Sequence, residues 1–118
     1  MIFTSYFSNI KNVKNPIAIC AKSPNWYTGP EFKPLAPKYS FFNEYKTGKI
    51  SKIEFTKDYL KEVLSLLNPL EVELQLLALY PNEKDITLLC FEEPHKFCHR
   101  QIVIFWFNKN GVMSQELE

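Results

Sequence analysis

The chain has 118 residues, of which 14 are basic and 13 acidic, and its formal net charge is +1. This near balance excludes the strong positive field by which many proteins attract nucleic acids non-specifically. Hydrophobic residues make up 46% of the chain, which excludes a disordered composition, and the longest apolar run, residues 102–107, is far shorter than the roughly 20 residues that span a bilayer.

The length predicts a single domain over residues 1–118. The cysteines are Cys20, Cys90 and Cys98, an odd number. Together with the lack of a signal-peptide pattern at the start of the sequence, this number predicts a reducing, cytoplasmic setting without a membrane partner.

Two short apolar runs near the N-terminus, residues 2–7 and 16–20, are predicted to be buried strands of a parallel sheet. The next segment, residues 22–40, contains four prolines, which exclude a regular helix or strand. Its aromatic residues predict an ordered loop instead. Ordered loops of this length are often functional, although a structural clasp over the sheet or a homodimer contact would explain the same residues.

Two consecutive helices are predicted in the middle of the chain. Thr56 can cap a helix that begins at Lys57, because apolar residues then recur every three or four positions. Asn68 ends this helix and can cap the next one, in which Pro69 takes the first position. The second helix is predicted to end near residue 80.

The C-terminal third predicts a strand, a helix and a last strand. Residues 86–91 are the most strand-like in the chain. Residues 102–107 have strand propensity, but the Asn-Gly pair at 110–111 is typical of a helix end. We therefore predict a helix over residues 97–108, which also supplies the crossover that parallel strands need, and a final strand over 112–117. The predicted fold is α/β, a small, mainly parallel, three-layer sheet of about four strands flanked by helices.

Polar residues follow the predicted strands at the edge where ligands bind in open α/β sheets. The helix after the third of these strands would direct its positive N-terminal end at this edge, which favours an anion such as phosphate. A base would stack on the aromatic residues of the proline-rich loop. The residues predicted to bind a ligand are Ser5, Tyr6, Lys22, Trp26 and Tyr27. The residues predicted to be catalytic are Glu92, Cys98, His99 and Arg100.

Each predicted catalytic residue also has an ordinary structural interpretation. Arg100 can hold a phosphate through two hydrogen bonds, or it can form a salt bridge with Glu92 or Glu93. Cys98 can be a thiolate activated by the helix N-terminus. It can equally be an inert core residue, because it shares a helical face with Ile102.

His99 can exchange a proton near neutral pH, or it can be a packing residue with a hydrogen bond. Glu92 can bind a ribose hydroxyl or act as a general base, or it can be a solvated loop carboxylate. Zinc is not predicted, because the spacing of Cys90, His95, Cys98 and His99 does not match a structural zinc site. On a helix the adjacent side chains of Cys98 and His99 are expected to diverge by about 100°. The sequence therefore predicts no metal and no cofactor.

The sequence "LLCFE" at residues 88–92, followed by "FCHR" at 97–100, resembles the signature of a family grouped as domain of unknown function 488, or DUF488. "KPLAPKYSFFNEYKTGKI" and "FTKDYLKEVLSLLNP" are similar to upstream elements of that family, so the resemblance covers nearly the whole chain. It extends to the compact versions found in bacteria and their phages. The resemblance implies a small α/β sheet and no settled activity. Its shared polar residues correspond to Glu92, Cys98, His99 and Arg100.

Three functions are compatible with these residues. The first is a protein that binds a phosphate-bearing small molecule or nucleic acid and, if it is an enzyme, hydrolyses or transfers a phosphate or glycosidic bond. The resemblance implies a similar direction, nucleotide or nucleic-acid metabolism and conflict between host and phage. The second is a non-enzymatic module that sequesters a nucleotide or a protein partner. The third is a redox or acyl-transfer enzyme that depends on Cys98.

Overall fold

The structure is a computed structural model, and it describes residues 1–93 and 96–117. The described strands are β1 (Ile2–Tyr6), β2 (Pro16–Ala18), β3 (Ile86–Cys90) and β4 (Ser114–Glu116). The described α-helices are α1 (Tyr39–Lys46), α2 (Lys52–Glu62), α3 (Pro69–Ala78) and α4 (His99–Lys109). Short 3₁₀ segments occupy Phe7–Asn12, Lys33–Leu35 and Leu64–Leu66. In the described ranges no helix combines the length and the apolar character that crossing a bilayer requires.

The four strands form one sheet in the order β2-β3-β1-β4, and every pair of neighbours is parallel. Helices α1 to α3 connect β2 to β3, and α4 connects β3 to β4 across β1. Such crossovers are required because parallel strands cannot be joined by a tight hairpin. The predicted α/β class and the predicted parallel sheet flanked by helices are confirmed.

Side chains alternate across each strand, which gives the sheet two differently covered faces. Ile86 and Leu88 of β3 lie on the first face, in a core to which all four α-helices contribute. Leu89 lies on the second face and packs with Phe7 and Ala18. This second face is covered by the first 3₁₀ segment and by the loop after β2. The three layers are therefore the α-helices, the sheet and an irregular cover.

The middle helices differ from the prediction in number and in their ends. Helix α1 was not predicted, and α2 begins at Lys52 instead of Lys57. Its cap is Ser51, whose Oγ accepts a hydrogen bond from the Glu54 amide while the Glu54 carboxylate accepts one from the Ser51 amide, both at 3.1 Å. This reciprocal capping box satisfies two amides that the helix leaves unpaired. Thr56 lies inside the helix and donates to the Lys52 carbonyl.

The start of α3 agrees with its prediction. The side chain of Asn68 accepts hydrogen bonds from the amides of Leu70 and Glu71, and Pro69 is the first residue of the helix. Proline fits this position because its missing amide hydrogen would have no partner there.

The apolar run near the C-terminus is helical, as its flanking residues predict. Gly111 follows α4 with a φ of +83°, a left-handed conformation that glycine adopts without strain. At the other end Cys98 is the N-cap, and its backbone is extended, with φ −147° and ψ 154°. The helix therefore begins just after Cys98 and not near residue 97, which changes the direction of the Cys98 side chain.

Candidate functional site

A cavity of about 520 Å³ opens beside the carboxyl ends of β2 and β3. Its walls come from the residues after these two strands, from α1 and α2, and from the start of α4. The volume lies within the range of small-molecule sites, roughly 300–1,000 Å³. We call it the aromatic cavity, because its walls include six aromatic rings: Tyr39, Phe42, Tyr45, Phe55, Phe91 and Phe97.

Three of these rings support one another. The ring centroids of Tyr45 and Phe55 are 5.3 Å apart, those of Tyr45 and Phe97 are 5.5 Å apart, and those of Phe55 and Phe97 are 5.6 Å apart. Aromatic pairs at such tilted or edge-to-face geometries stabilise each other beyond the area they bury. The contacts connect α1, α2 and the segment before α4. This wall of the cavity is therefore formed in the protein without a ligand.

Charged groups lie at the rim of the aromatic cavity. Lys46, the last residue of α1, places its Nζ 2.8 Å from a carboxylate oxygen of Glu92. The same ammonium group lies 5.5 Å from the centroid of the Phe42 ring. Lys22 follows β2 and is exposed, and it forms no ion pair within the described residues. The rim thus carries one paired cation and one that remains available to an anion.

The aromatic cavity is also lined by three buried residues of another kind, Cys90, Cys98 and His99. We call these residues the thiol–imidazole cluster. Their ligand atoms lie within 4.8 Å of one another. The structure joins Cys90 and Cys98 by a disulfide bond, and the Cα atoms of the two cysteines are 7.6 Å apart. The third cysteine, Cys20, also lines the cavity but lies outside this group, and burial raises the pKa of its thiol.

The position of Cys98 explains how the cluster forms. Because Cys98 precedes α4 with extended backbone angles, its side chain does not follow the helical rotation. The expected divergence of the Cys98 and His99 side chains is therefore wrong, and Sγ of Cys98 lies 3.6 Å from Nδ1 of His99. Cys90 is the last residue of β3, and its side chain points to the same place.

A backbone hydrogen bond orients the His99 ring. Its Nε2 donates to the carbonyl oxygen of Ile19 at 2.7 Å, which leaves Nδ1 without a hydrogen and directed at Cys98. Burial lowers the pKa of His99 to about 4, because the charged imidazolium would lose its hydration there. The nearby charge of Arg100 acts in the same direction, and the hydrogen bond to Ile19 opposes both. The ring is therefore neutral at physiological pH.

Arg100 is fully buried and turned toward β4. Its Nε lies 3.0 and 3.2 Å from the two carboxylate oxygens of Glu116, and its Nη2 lies 3.0 Å from one of them. Nη1 donates to Sγ of Cys90 at 3.2 Å and to the main-chain oxygen of Glu92. The sequence named Glu92 or Glu93 as the salt-bridge partner, but that partner is Glu116. Each of the three guanidinium nitrogens thus has a hydrogen-bond partner within the protein.

Comparison with known families gives a match over most of the chain. Residues 9–111 match the family model described as "DUF488-N3a: Active DUF488-N3 subclade". The chain belongs to the DUF488 family. This result confirms the resemblance carried by the residues around Cys90 and Cys98. Neither the curated proteins nor the solved structures contain a protein that matches this DUF488 chain.

The residues predicted to bind a ligand lie in different parts of this DUF488 protein. Lys22 lines the aromatic cavity. Ser5 is fully buried, and its hydroxyl accepts a hydrogen bond from the side chain of Asn9 at 3.0 Å. The ring of Tyr6 lies under the Arg100 guanidinium, 6.0 Å from its central carbon. Ser5 and Tyr6 therefore belong to the packing around β1.

The aromatic pair of the proline-rich loop lies on the other side of Phe91. The Trp26 ring packs edge-on against Phe7 at 6.1 Å, and Phe7 in turn lies 5.0 Å from the ring of Phe91, which lines the aromatic cavity. Tyr27 lines a second cavity of about 360 Å³, which shares Ala21 and Lys22 with the aromatic cavity, and it donates to the carbonyl of Pro30 at 2.7 Å. Neither residue lines the aromatic cavity. The homodimer contact expected for exposed rings such as Trp26 stays a prediction.

The four residues predicted to be catalytic separate into two groups. Glu92, Cys98 and His99 line the aromatic cavity, whereas Arg100 does not. His95, considered above as a zinc ligand, lies outside the described residues.

Sequence reasoning missed most of the cavity wall. The rings from α1 were not assigned to a site, because that helix itself was not predicted. The resemblance at residues 33–50 contained these rings, and it was the one signal that could have identified them. Cys90 was assigned to the predicted strand over residues 86–91 and not to the site, although it belongs to the thiol–imidazole cluster.

Proposed function

We propose that this DUF488 protein binds a nucleotide in the aromatic cavity. The observation that carries the proposal is the combination, in one cavity of about 520 Å³, of six aromatic rings with two lysines at the rim. Nucleotides pair a flat base with an anionic phosphate, and the cavity offers a complementary group for each part. Its place at the carboxyl edge of a parallel sheet is also where ligands bind in open α/β folds.

The base would stack on the rings at the mouth of the aromatic cavity. Tyr39 and Phe91 are 76% and 53% exposed, so their faces are accessible to a ligand. Phe55, in contrast, is buried behind them. Stacking of a base on an aromatic side chain contributes about 1–3 kcal/mol and tolerates every base. The aromatic cavity is therefore suited to binding nucleotides in general and does not select one base by stacking.

The phosphate would bind to the lysines of the rim. Lys22 forms no ion pair within the described part of the chain, and Lys46 can share its charge between Glu92 and a phosphate. Lysine ammonium groups bind phosphate as point charges. Arg100 is not the phosphate ligand in this proposal, because its donors are engaged with Glu116, Cys90 and Glu92.

The reaction class that we propose is hydrolysis or transfer at a phosphate or glycosidic bond. The description of the matching family model calls its subclade active, and the Glu92 carboxylate lines the aromatic cavity, where it can accept a proton. A protein that binds the nucleotide without changing it would instead be the sequestering module considered above. Product analysis after incubation with the tightest-binding nucleotide distinguishes these two functions.

A pair of aromatic substitutions tests the binding site. Phe91 and Trp26 are almost equally exposed, at 53% and 56%, but only Phe91 lines the aromatic cavity. We expect nucleotides from a standard panel to raise the Tm of the wild-type protein. Phe91→Ala should raise the dissociation constant of the nucleotide by about 5- to 100-fold, and Trp26→Ala should leave it unchanged. The proposal fails if no nucleotide changes the Tm, or if Trp26→Ala weakens binding as much as Phe91→Ala does.

A second candidate function is an enzyme that uses Cys98 as a nucleophile. The specific observation in its favour is the distance of 3.6 Å between Sγ of Cys98 and the unprotonated Nδ1 of His99. When the disulfide is reduced and Cys98 is a thiol, a histidine in this position can accept the thiol proton and so activate the sulfur. Reduced, folded protein would be treated with iodoacetamide, and the modified cysteines identified by mass spectrometry. This function requires that Cys98 reacts faster than Cys20, and an unreactive Cys98 excludes it.

A further inference from the structure

We propose that, when the disulfide between Cys90 and Cys98 is reduced, these two cysteines and His99 bind a soft divalent metal ion, with zinc as the best fit, in the wall of the aromatic cavity. Three buried side chains of the types that bind zinc place their ligand atoms within 4.8 Å of one another. They come from two elements, the end of β3 and the start of α4. The sequence spacing argued against zinc because it does not show that these elements meet.

The chemistry of the three donors is the first support. Zinc binds thiolate sulfur at about 2.3 Å and imidazole nitrogen at about 2.0–2.1 Å, and a set of two cysteines and one histidine occurs in catalytic zinc sites. Such sites keep a fourth position for water or substrate. All three side chains of the thiol–imidazole cluster line the aromatic cavity. The fourth position of a bound ion would therefore face the cavity.

The groups around the donors are the second support. Ile19 accepts the hydrogen of His99 Nε2 at 2.7 Å, which fixes the ring so that the free lone pair of Nδ1 faces the sulfur atoms. Histidine ligands of metals nearly always have such a partner on the other nitrogen. On the opposite side, Nη1 of Arg100 donates to Sγ of Cys90 at 3.2 Å. A donor on the sulfur offsets part of the negative charge that two thiolates bring to a site.

In the reduced protein, the separation of the two backbones favours a metal ion between the thiolates over the return of the disulfide bond. The Cα atoms of Cys90 and Cys98 are 7.6 Å apart, whereas the Cα atoms of disulfides usually lie about 4.4–6.8 Å apart. A metal ion replaces one sulfur–sulfur bond of about 2.05 Å by two metal–sulfur bonds of about 2.3 Å each. The longer link joins the two cysteines without drawing β3 and α4 together.

Metal binding and the second candidate function lead to different expectations for the reactivity of Cys98. A thiolate that is bound to zinc is held as a ligand, and its sulfur is shielded from alkylation. The proposed metal site does not depend on which molecule occupies the aromatic cavity. Its experiment uses the metal alone, so that its failure would leave the nucleotide proposal standing.

The test is a titration of reduced, chelator-treated protein with Co²⁺, a spectroscopic substitute for zinc, followed by displacement with Zn²⁺. We expect one ion per chain and the charge-transfer absorption of cobalt bound to thiolates. Cys90→Ser and Cys98→Ser should each weaken binding at least about 100-fold, more than the loss of an outer partner of a ligand does. Cys20→Ser is the matched control, since Cys20 lines the same cavity outside the cluster. This variant should bind Co²⁺ as tightly as the wild type does.

Two results would overturn the proposal. The first is a wild-type protein with three titratable thiols that gives no charge-transfer absorption with Co²⁺. The second is an equal loss of binding in Cys20→Ser and Cys98→Ser, which would place the ion elsewhere. Circular dichroism checks the fold of each variant. If a cysteine variant does not fold, the wild-type spectrum still decides, because it reports directly whether thiolates hold the metal.

Discussion

Two ion pairs flank the end of β3, and they differ in the burial of their cations. Arg100–Glu116 is a buried pair, with the arginine side chain completely inaccessible and the glutamate 27% exposed. Lys46–Glu92 lies at the rim of the aromatic cavity, with 45% of the lysine side chain and 27% of the glutamate exposed. The comparison teaches that in this domain burial separates structural charges from charges that remain available to a ligand.

The buried pair connects the last strand to the rest of the fold. Besides the arginine, the Glu116 carboxylate accepts a hydrogen bond from the hydroxyl of Thr4 in β1. Arg100 in turn bonds the sulfur of Cys90 and the main chain of Glu92. One side chain thus connects α4, β4 and the end of β3. Most of its donors have a partner in the protein, which is the condition under which a buried charge is tolerated.

The largest effect is expected for Arg100→Met. This variant keeps much of the side-chain volume but leaves Glu116 without its counterion, and breaking a buried pair in this way costs about 3–5 kcal/mol. Urea unfolding followed by circular dichroism measures the change in the free energy of unfolding. A decrease of less than about 1 kcal/mol in the free energy of unfolding is typical of a surface ion pair. It would contradict the structural role assigned to Arg100.

Glu116→Gln should have the next largest effect. The amide oxygen can still accept from the guanidinium and from Thr4, but the charge of Arg100 is no longer neutralised. Because water reaches one side of Glu116, we expect a loss of about 1–3 kcal/mol. The double variant with Arg100→Met measures the coupling between the two residues. Strictly additive losses would show that the pair does not act as a unit.

Lys46→Met should change stability little and ligand binding more. The rim pair is solvent-exposed, so its loss costs at most about 1 kcal/mol of the free energy of unfolding. If Lys46 binds a phosphate, the same variant raises the dissociation constant of the nucleotide. Urea unfolding and ligand titration of one protein sample give both values. A loss of stability without any change in binding would remove Lys46 from the proposed site.

The smallest effect is expected from salt. Raising the ionic strength to 1 M shortens the screening length to about 3 Å, which weakens exposed pairs much more than buried ones. Because salt also changes stability in general, the informative quantity is the difference between variants. The stability gap between wild type and Lys46→Met should close in salt, while the gap for Arg100→Met should persist. Equal closure of both gaps would mean that water reaches the buried pair.

The sequence predicted the fold class well, because the signals involved are local. The apolar run of β3, the Asn68–Pro69 start of α3 and the glycine after α4 each depend on neighbouring residues. Helix α1 was missed because it has no side-chain cap and no acidic residue in its first turn, and it directly follows the proline-rich segment. The start of α2 was misplaced because Thr56 has the features of a cap, although Ser51 and Glu54 form the actual capping box.

The site was less predictable, because it depends on distances that the chain order does not encode. Cys98 lies one residue before α4, and this single step turns its side chain toward Cys90 and away from a helical face. The partner of Arg100 lies sixteen residues further along the chain, in β4, and becomes its neighbour only when β4 joins β1. The Trp26 loop was assigned to the site on composition alone, which does not show on which side of Phe91 it packs.

The dependence of Arg100 on Glu116 has a consequence for synthesis on the ribosome. The guanidinium is fully buried, but the carboxylate that neutralises it is translated sixteen residues later, in β4. A nascent chain that still lacks this residue would have to bury an unbalanced cation. We expect the emerging polypeptide to remain in an open form until β4 leaves the exit tunnel and pairs with β1.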